Sequence, residues 1–146
     1  MQRLVNELLA ANVARFARQR IHVEVDVPAD ETILADADLL SRAVSQLVLN
    51  AAEAMPTGGT VVVTTYQGHG HYEIEVADSG SGLGDDARRR AFEPRYTTKP
   101  GSAGMGLALV QRIATAHGGN VAAMNCPEGG AAFTLRLPNR PQQAAA

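Results

Sequence analysis

Residues 72–107 read YEIEVADSGSGLGDDARRRAFEPRYTTKPGSAGMGL. The stretch opens as a strand, with Tyr72, Ile74 and Val76 on one side and Glu73 and Glu75 on the other. Continuing the period of two puts Asp78 on the apolar side. A carboxylate there is costly unless it is hydrogen-bonded. Two readings stand side by side. Either the strand ends and Asp78 begins an Asx-turn into Ser79-Gly80, or Asp78 lies at a pocket floor and accepts from an exocyclic amino group such as that of adenine. Gly80, Gly82 and Gly84 would keep the adjoining wall bare, so that a flat ring can approach the backbone. The far end, Gly104-Met105-Gly106-Leu107, feeds a strongly apolar helical pattern. Helix N-termini carry free N–H groups and attract anions, and Lys99 lies five residues earlier. The connection Glu93 to Ala103 is long for a compact domain, as functional lids are. An acid at one end and a helix start at the other suit a ligand with a polar ring and an anionic tail, as a nucleotide has.

Outward from this stretch, the chain alternates helices with short strands. Residues 4–18 place Val5, Leu8, Leu9, Val13, Phe16 and Ala17 on one helical face, and Arg15, Arg18 and Arg20 lie toward its C-terminal end, where the helix dipole favours cations. Ile21 to Val27 alternates as a half-buried strand ended by Pro28, and Thr32 to Ala35 reads as a second short strand. Asp36 is a good N-cap for a helix from Ala37 to Met55, stopped by Pro56 and Gly58-Gly59. Thr60 to Gln67 and Tyr72 to Ala77 form a hairpin across Gly68 to His71. A helix from Met105 to His117 precedes strands Asn120 to Asn125 and Ala132 to Leu137. The order predicts an α+β fold, a two-layer α/β sandwich whose mixed, mostly antiparallel sheet is covered on one face by three main helices. Residues 1–138 form one domain, and 139–146 form a patternless, disordered tail.

The helix from Ala37 to Met55 carries a second group of candidates. Leu40, Val44, Leu47, Ala51 and Ala54 form its buried stripe. Gln46, Asn50 and Glu53 lie along one flank of that stripe, at i, i+4 and i+7. Each alone reads as a polar boundary residue. Together, an amide oxygen with a nearby acid could hold a hydrated Mg²⁺, an ion bound through few protein groups plus phosphates.

Bulk properties narrow the classes. The chain has 146 residues, net charge −2, 45% hydrophobic and 19% charged residues, which describes an ordinary globular domain without the basic excess of a nucleic-acid binder. Cys126 is the single cysteine, so no disulfide framework forms within one chain. His69 and His71 share a hairpin tip with no cysteine near, a poor metal site. No apolar run approaches the roughly 18 residues of a membrane span, and no signal peptide is visible. The run Arg88-Arg89-Arg90 follows Asp85-Asp86 and reads as a solvated helix face. No P-loop, dinucleotide fingerprint or protein-kinase motif is present.

Taken jointly, these segments resemble the ATP-binding catalytic domain of sensor histidine kinases, in the Bergerat-fold (GHKL) superfamily that includes DNA gyrase B, Hsp90 and MutL. Residues 47–54, LVLNAAEA, look like the N box, and 78–83, DSGSGL, like the G1 box. Residues 92–100, FEPRYTTKP, look like the F box, and 104–107, GMGL, like the G2 box. The text around 54–59 and the F box is similar to the nitrogen-regulator-type branch. The resemblance implies that Asn50 ligates a Mg²⁺ bridging the ATP phosphates and that Asp78 accepts from the adenine amino group. Gly80, Gly82 and Leu83 shape the adenine wall. Thr98, Lys99, Gly104, Met105, Gly106 and Leu107 serve the phosphate side. Asn50, Lys99 and Gln46 are the expected catalytic set, with Glu53 near the cation or facing solvent.

Gln46 stands where gyrase-like ATPases carry a water-activating Glu. A neutral amide is a poor base, which favours transfer over hydrolysis. Ser102 replaces a common Gly of the G2 box, and Ala132 falls where a Thr often supports adenine. None of His22, His69, His71 and His117 is followed by an acid, so the phosphoacceptor is expected on a separate dimerisation domain. Through that domain the phosphate would reach a response regulator. The implied setting is a cytoplasmic, monomeric piece of a parent that can be membrane-anchored, with no nucleic-acid partner and no direct membrane contact. The alternatives are a stand-alone anti-sigma-factor-type Ser/Thr kinase, and a nucleotide- or protein-binding module without catalysis.

Overall fold

A computed structural model describes residues 1–97 and 105–139. Its elements run α1 (Gln2–Ala11), α2 (Val13–Gln19), β1 (Ile21–Asp26), α3 (Ala37–Glu53), β2 (Gly59–Gln67), β3 (His71–Asp78), α4 (Asp85–Arg90), α5 (Gly106–Ala116), β4 (Asn120–Asn125) and β5 (Ala131–Pro138). The five strands form one sheet in the order β1-β2-β3-β5-β4. β1 runs parallel to β2, and the other three pairings are antiparallel. The parallel pair needs a crossover, and α3 supplies it. α2 packs on β1, α3 on β2 and β3, and α5 on β4 and β5. This is the expected α+β two-layer sandwich.

Strand alternation decides which face is covered. In β3, Tyr72, Ile74, Val76 and Asp78 are buried in strict alternation with half-exposed neighbours. Across the ladders they align with Val61 and Val63 on one side and with Phe133, Leu135 and Leu137 on the other. The opposite face carries Glu24, Asp26, Glu73, Glu75 and Arg136 and is not part of the core. α3 buries more than the predicted stripe. Ala43, Val48 and Ala52 join Leu40, Val44, Leu47 and Ala51 in the core, because α1 and α5 flank α3 while the sheet lies beneath it. Asp36 caps this helix as expected, its Oδ1 accepting from the Leu39 N–H at 3.0 Å.

Three sequence expectations change. The helix over residues 4–18 is broken at Asn12 (φ −112°, ψ 8°), whose side-chain amide donates to the Leu8 carbonyl at 2.9 Å. Competition of this kind is why Asn interrupts helices. The break turns Val13 outward, so it is 64% exposed instead of sharing the buried face. The second change is that residues 32–35 form no strand. That loop is tied down by side chains. Glu31 Oε2 accepts from Tyr72 Oη at 2.8 Å and Thr65 Oγ1 at 2.5 Å, while Ile33 and Ala35 lean on the core. The third concerns Asn139, expected in the frayed tail: its N–H donates to Gly70 at 3.0 Å. The rest of that tail, 140–146, lies outside the described residues.

Candidate active site

The described candidate residues lie where β3 ends, on α3 and at the start of α5, which packs against α3. Asp78 is 5% exposed and is the buried charged residue among the described ones. Its Oδ1 accepts from the Gly80 N–H at 2.9 Å and from the Ala131 N–H at 3.3 Å. The Asx-turn reading holds, and the inward placement expected from the strand period holds with it. Asp78 faces inward, and it also closes an Asx-turn onto the residue two further on. The following residue continues the ladder through its backbone and side chain: Ser79 N–H donates to the Thr60 carbonyl at 3.1 Å, and Thr60 N–H donates to Ser79 Oγ at 2.9 Å.

The glycines that follow are required to different degrees. A Cβ on Gly80 would lie 2.6 Å from the Ala54 carbonyl at the end of α3, so the G1 turn and that helix end are in backbone contact. Gly82 has φ +79°, a left-handed conformation that L side chains resist. Gly84 has open space around it, so no protein contact demands a glycine there. Leu83 is held from outside the loop: its N–H donates to Asn125 Oδ1 at 2.7 Å, and its carbonyl accepts from Asn125 Nδ2 at 2.8 Å. Leu83 itself packs against the core.

α4 follows, with Asp85 and Asp86 in its first turn and Arg88, Arg89 and Arg90 in its last, the order a helix dipole favours. The run is a helix face with ion pairs at 3.4–3.8 Å, as expected. Phe92 then docks edge-on against Phe133 of β5, with centroids 6.1 Å apart and planes at 88°. The F-box segment thus starts from the core beside Asp78's strand. Tyr96 is covered by the Arg90 guanidinium, 4.5 Å from its ring centroid. Thr98, Lys99, Ser102 and Gly104, with most of the expected lid, lie outside the described residues.

The start of α5 is described from Met105 onward. Met105 is the N-cap of α5 and is 47% exposed. Among the described residues no side chain caps α5, and no acid stands in its first turn. Leu107 leans on the core. Gly106 sits under Gln46, and a Cβ there would come to 2.5 Å from Gln46 Oε1. The Gln46 amide thus covers the first turn of α5. Asn50 lies one turn further along α3 and is half-buried, whereas Glu53 is exposed. Among the described residues no group of three or more His, Cys, Asp or Glu side chains is arranged to hold a metal ion.

Two residues of this site escaped the sequence reading. Ala131 supplies a backbone donor to Asp78. Ala132, the position expected to support a base, aligns with Ala77 and Met124 on the face away from the helices, whereas Ala131 belongs to the core cluster and sits beside Asp78. The other residue is Asn125. A polar, weakly strand-forming residue at the end of β4 was the available signal. Nearby, partial burial first, then the carboxylates of Asp78, Glu75 and Glu128, push the Cys126 thiol above its ordinary value.

Fold and site together define a helix-on-sheet domain with a buried acid and a glycine turn at the end of β3 and a helix start covered by Gln46. The chain belongs to the family of histidine kinase-, DNA gyrase B- and HSP90-like ATPases, whose model matches residues 35–141. Within it, its relatives include sensor histidine kinases. The sensor histidine kinase ZraS of Klebsiella oxytoca is 39% identical over 117 residues, 80% of this chain and 25% of ZraS. A structure of the mycobacterial sensor histidine kinase MprB is 32% identical with a TM-score of 0.76, covering 94% of this chain and 96% of that one. Full-length ShkA, solved in complex with AMPPNP, is 32% identical with a TM-score of 0.84, covering 98% of this chain and 30% of that one. The chain thus spans about a quarter of the length of the curated relative ZraS. No described helix is long and apolar enough to cross a membrane.

Proposed function

We propose that residues 1–138 are the catalytic domain of a two-component sensor histidine kinase, binding Mg·ATP and passing the γ-phosphate to a histidine on a separate dimerisation domain. The phosphate would then move to a response regulator. The observation that carries this reading is Asp78. A carboxylate 5% exposed is held by two backbone N–H groups at the head of a glycine turn, and buried acids of this kind cluster at functional sites.

In this reading Asp78 accepts from the adenine amino group, and Gly80, Gly82 and Leu83 form the wall against the ring. The N–H groups at the start of α5, around Gly106 and Leu107, would receive phosphate oxygens, with Lys99, Thr98 and Gly104 completing that side. Asn50 offers an amide oxygen, the hard donor Mg²⁺ prefers. The ion would neutralise charge on the transferring group, and Glu53 can join through a bound water. Gln46, covering Gly106, orients that end of the pocket but cannot act as a strong base, which favours transfer to histidine over hydrolysis. Positioning and charge neutralisation are what phosphoryl transfer chiefly needs.

The test is transfer. The chain is incubated with labelled ATP, Mg²⁺ and histidine-bearing dimerisation domains encoded with it or beside it. The expected product is an acid-labile, base-stable phosphohistidine. Acid-stable phosphoserine on a partner would instead indicate a Ser/Thr kinase, and no transfer to any such domain would refute the kinase reading.

A further inference from the structure

We propose that Asn125 is a positioning residue for the nucleotide wall, acting through the backbone of Leu83. The inference rests on the nucleotide reading of the site given above. Asn125 ends β4, the edge strand of the sheet, and no residue on its own element binds the proposed ligand. Register places it opposite Ala131, whose N–H is bound to Asp78. Its side chain faces the G1 turn, 42 residues away in sequence.

Both ends of the Asn125 amide are used on one residue. Oδ1 accepts from Leu83 N–H at 2.7 Å, and Nδ2 donates to the Leu83 carbonyl at 2.8 Å. This is the pairing a neighbouring strand would offer, supplied by a side chain where the edge strand ends. The same Oδ1 lies 3.0 Å from where a Cβ on Gly82 would be. Asn125 therefore sets the height of Gly82 and Leu83 relative to Asp78. One anchor of the wall is the Asx-turn at Gly80, and the other is this amide. A turn fixed at both ends keeps its distance from the ring, whereas a turn fixed only at Gly80 must be ordered when the ligand binds, at an entropic cost.

No other residue type of similar length makes both bonds at neutral pH. Alanine loses both. An ionised aspartate keeps the acceptor but sets an anion against the Leu83 carbonyl. A protonated aspartate restores the pair, because its carbonyl accepts and its hydroxyl donates. The inference thus carries a pH signature that loss of packing would not produce.

The experiment is calorimetric titration of the 146-residue chain with ADP and with ATP, each with Mg²⁺, in wild type, Asn125→Ala and Asn125→Asp. Amide hydrogen exchange at Leu83 and thermal melts are recorded in parallel. For Asn125→Ala the expected result is faster exchange at Leu83 and an affinity loss of about threefold to tenfold, equal for ADP and ATP because the defect lies at the base end. For Asn125→Asp the loss relative to wild type should shrink between pH 7.5 and about pH 4, where an aspartate side chain is about half protonated. Unchanged affinity in Asn125→Ala despite faster exchange overturns the inference. So does a loss that differs between ADP and ATP, or an Asn125→Asp deficit that is the same at both pH values. Should Asn125→Ala fail to fold, the Asn125→Asp profile decides. If wild type binds neither nucleotide, the reading of the site itself fails, and Leu83 exchange still judges the amide contact.

Discussion

Replacing Asp78 by Asn separates what the carboxylate does for the fold from what it does for the ligand. Its Oδ1 holds the N–H groups of Gly80 and Ala131 at 2.9 and 3.3 Å. A carboxamide oxygen can keep both bonds, each falling from ~1.5–3 kcal/mol for a charged acceptor to ~0.5–1.5 kcal/mol for a neutral one. About 2 kcal/mol is lost over these two bonds. Against this, a carboxylate only 5% exposed no longer has to be desolvated, an effective penalty of several kcal/mol. The two effects oppose, and the melting temperature should stay within about 5 °C of wild type. The ligand has no such compensation. With its oxygen kept on Gly80 and Ala131, the carboxamide presents NH₂ where the second carboxylate oxygen stood, so a donor meets the adenine amino donor. Loss of the bond plus an unsatisfied donor amounts to about 2–4 kcal/mol, or roughly 30- to 1,000-fold in affinity. Calorimetry with ATP and Mg²⁺, beside melts without nucleotide, reads both quantities. A folded Asp78→Asn variant that binds within threefold of wild type would refute the role of Asp78 as base acceptor. A collapse of the melt would make the carboxylate structural instead.

Gly130→Ala should destabilise the domain by about 3 kcal/mol or more, because a Cβ there would overlap the Asp78 carbonyl at φ +84°, while Gly129→Ala, with open space, should lose only about 1 kcal/mol. Denaturant midpoints of the pair test this. Gly106→Ala should fold normally, since its clash is with the mobile end of Gln46, yet weaken binding of ATP more than of adenosine, as titrations with both will reveal. Tyr72→Phe removes one of the two hydroxyl donors to Glu31 and should lower stability by about 1–2 kcal/mol in urea unfolding. Cys126 should alkylate more slowly near pH 7.5 than an unhindered thiol, because its raised value leaves less thiolate. Asp78→Asn should speed the reaction by removing one of the carboxylates responsible.

Local chemistry made much of this molecule legible from sequence. The alternation of β3 placed Asp78 inward because a period of two leaves no other choice once Tyr72, Ile74 and Val76 are buried. Asp36 announced α3 because an N-cap acts within three residues. The misreadings arise where a distant part of the chain decides. Residues 32–35 alternate like a strand, but a strand needs a ladder, and Glu31 instead fastens that loop through Thr65 and Tyr72. Residues 4–18 carry a continuous helical period that one side-chain bond from Asn12 interrupts.

The site divides in the same way. Asn50, Asp78 and the glycines lie in local motifs, whereas the groups that fix their geometry come from other strands. Ala131 and Asn125 reach the G1 turn across the sheet, and neither has a local pattern to betray it. The ladder sets Ala131, and not Ala132, on the face of Asp78, because one residue of register exchanges the two faces of a strand. A hydroxyl lost at 131 would be felt beside Asp78, while one lost at 132 would be felt on the far face. The backbone N–H of residue 131 reaches Asp78 whatever side chain stands there, so the alanine keeps the acid's anchor.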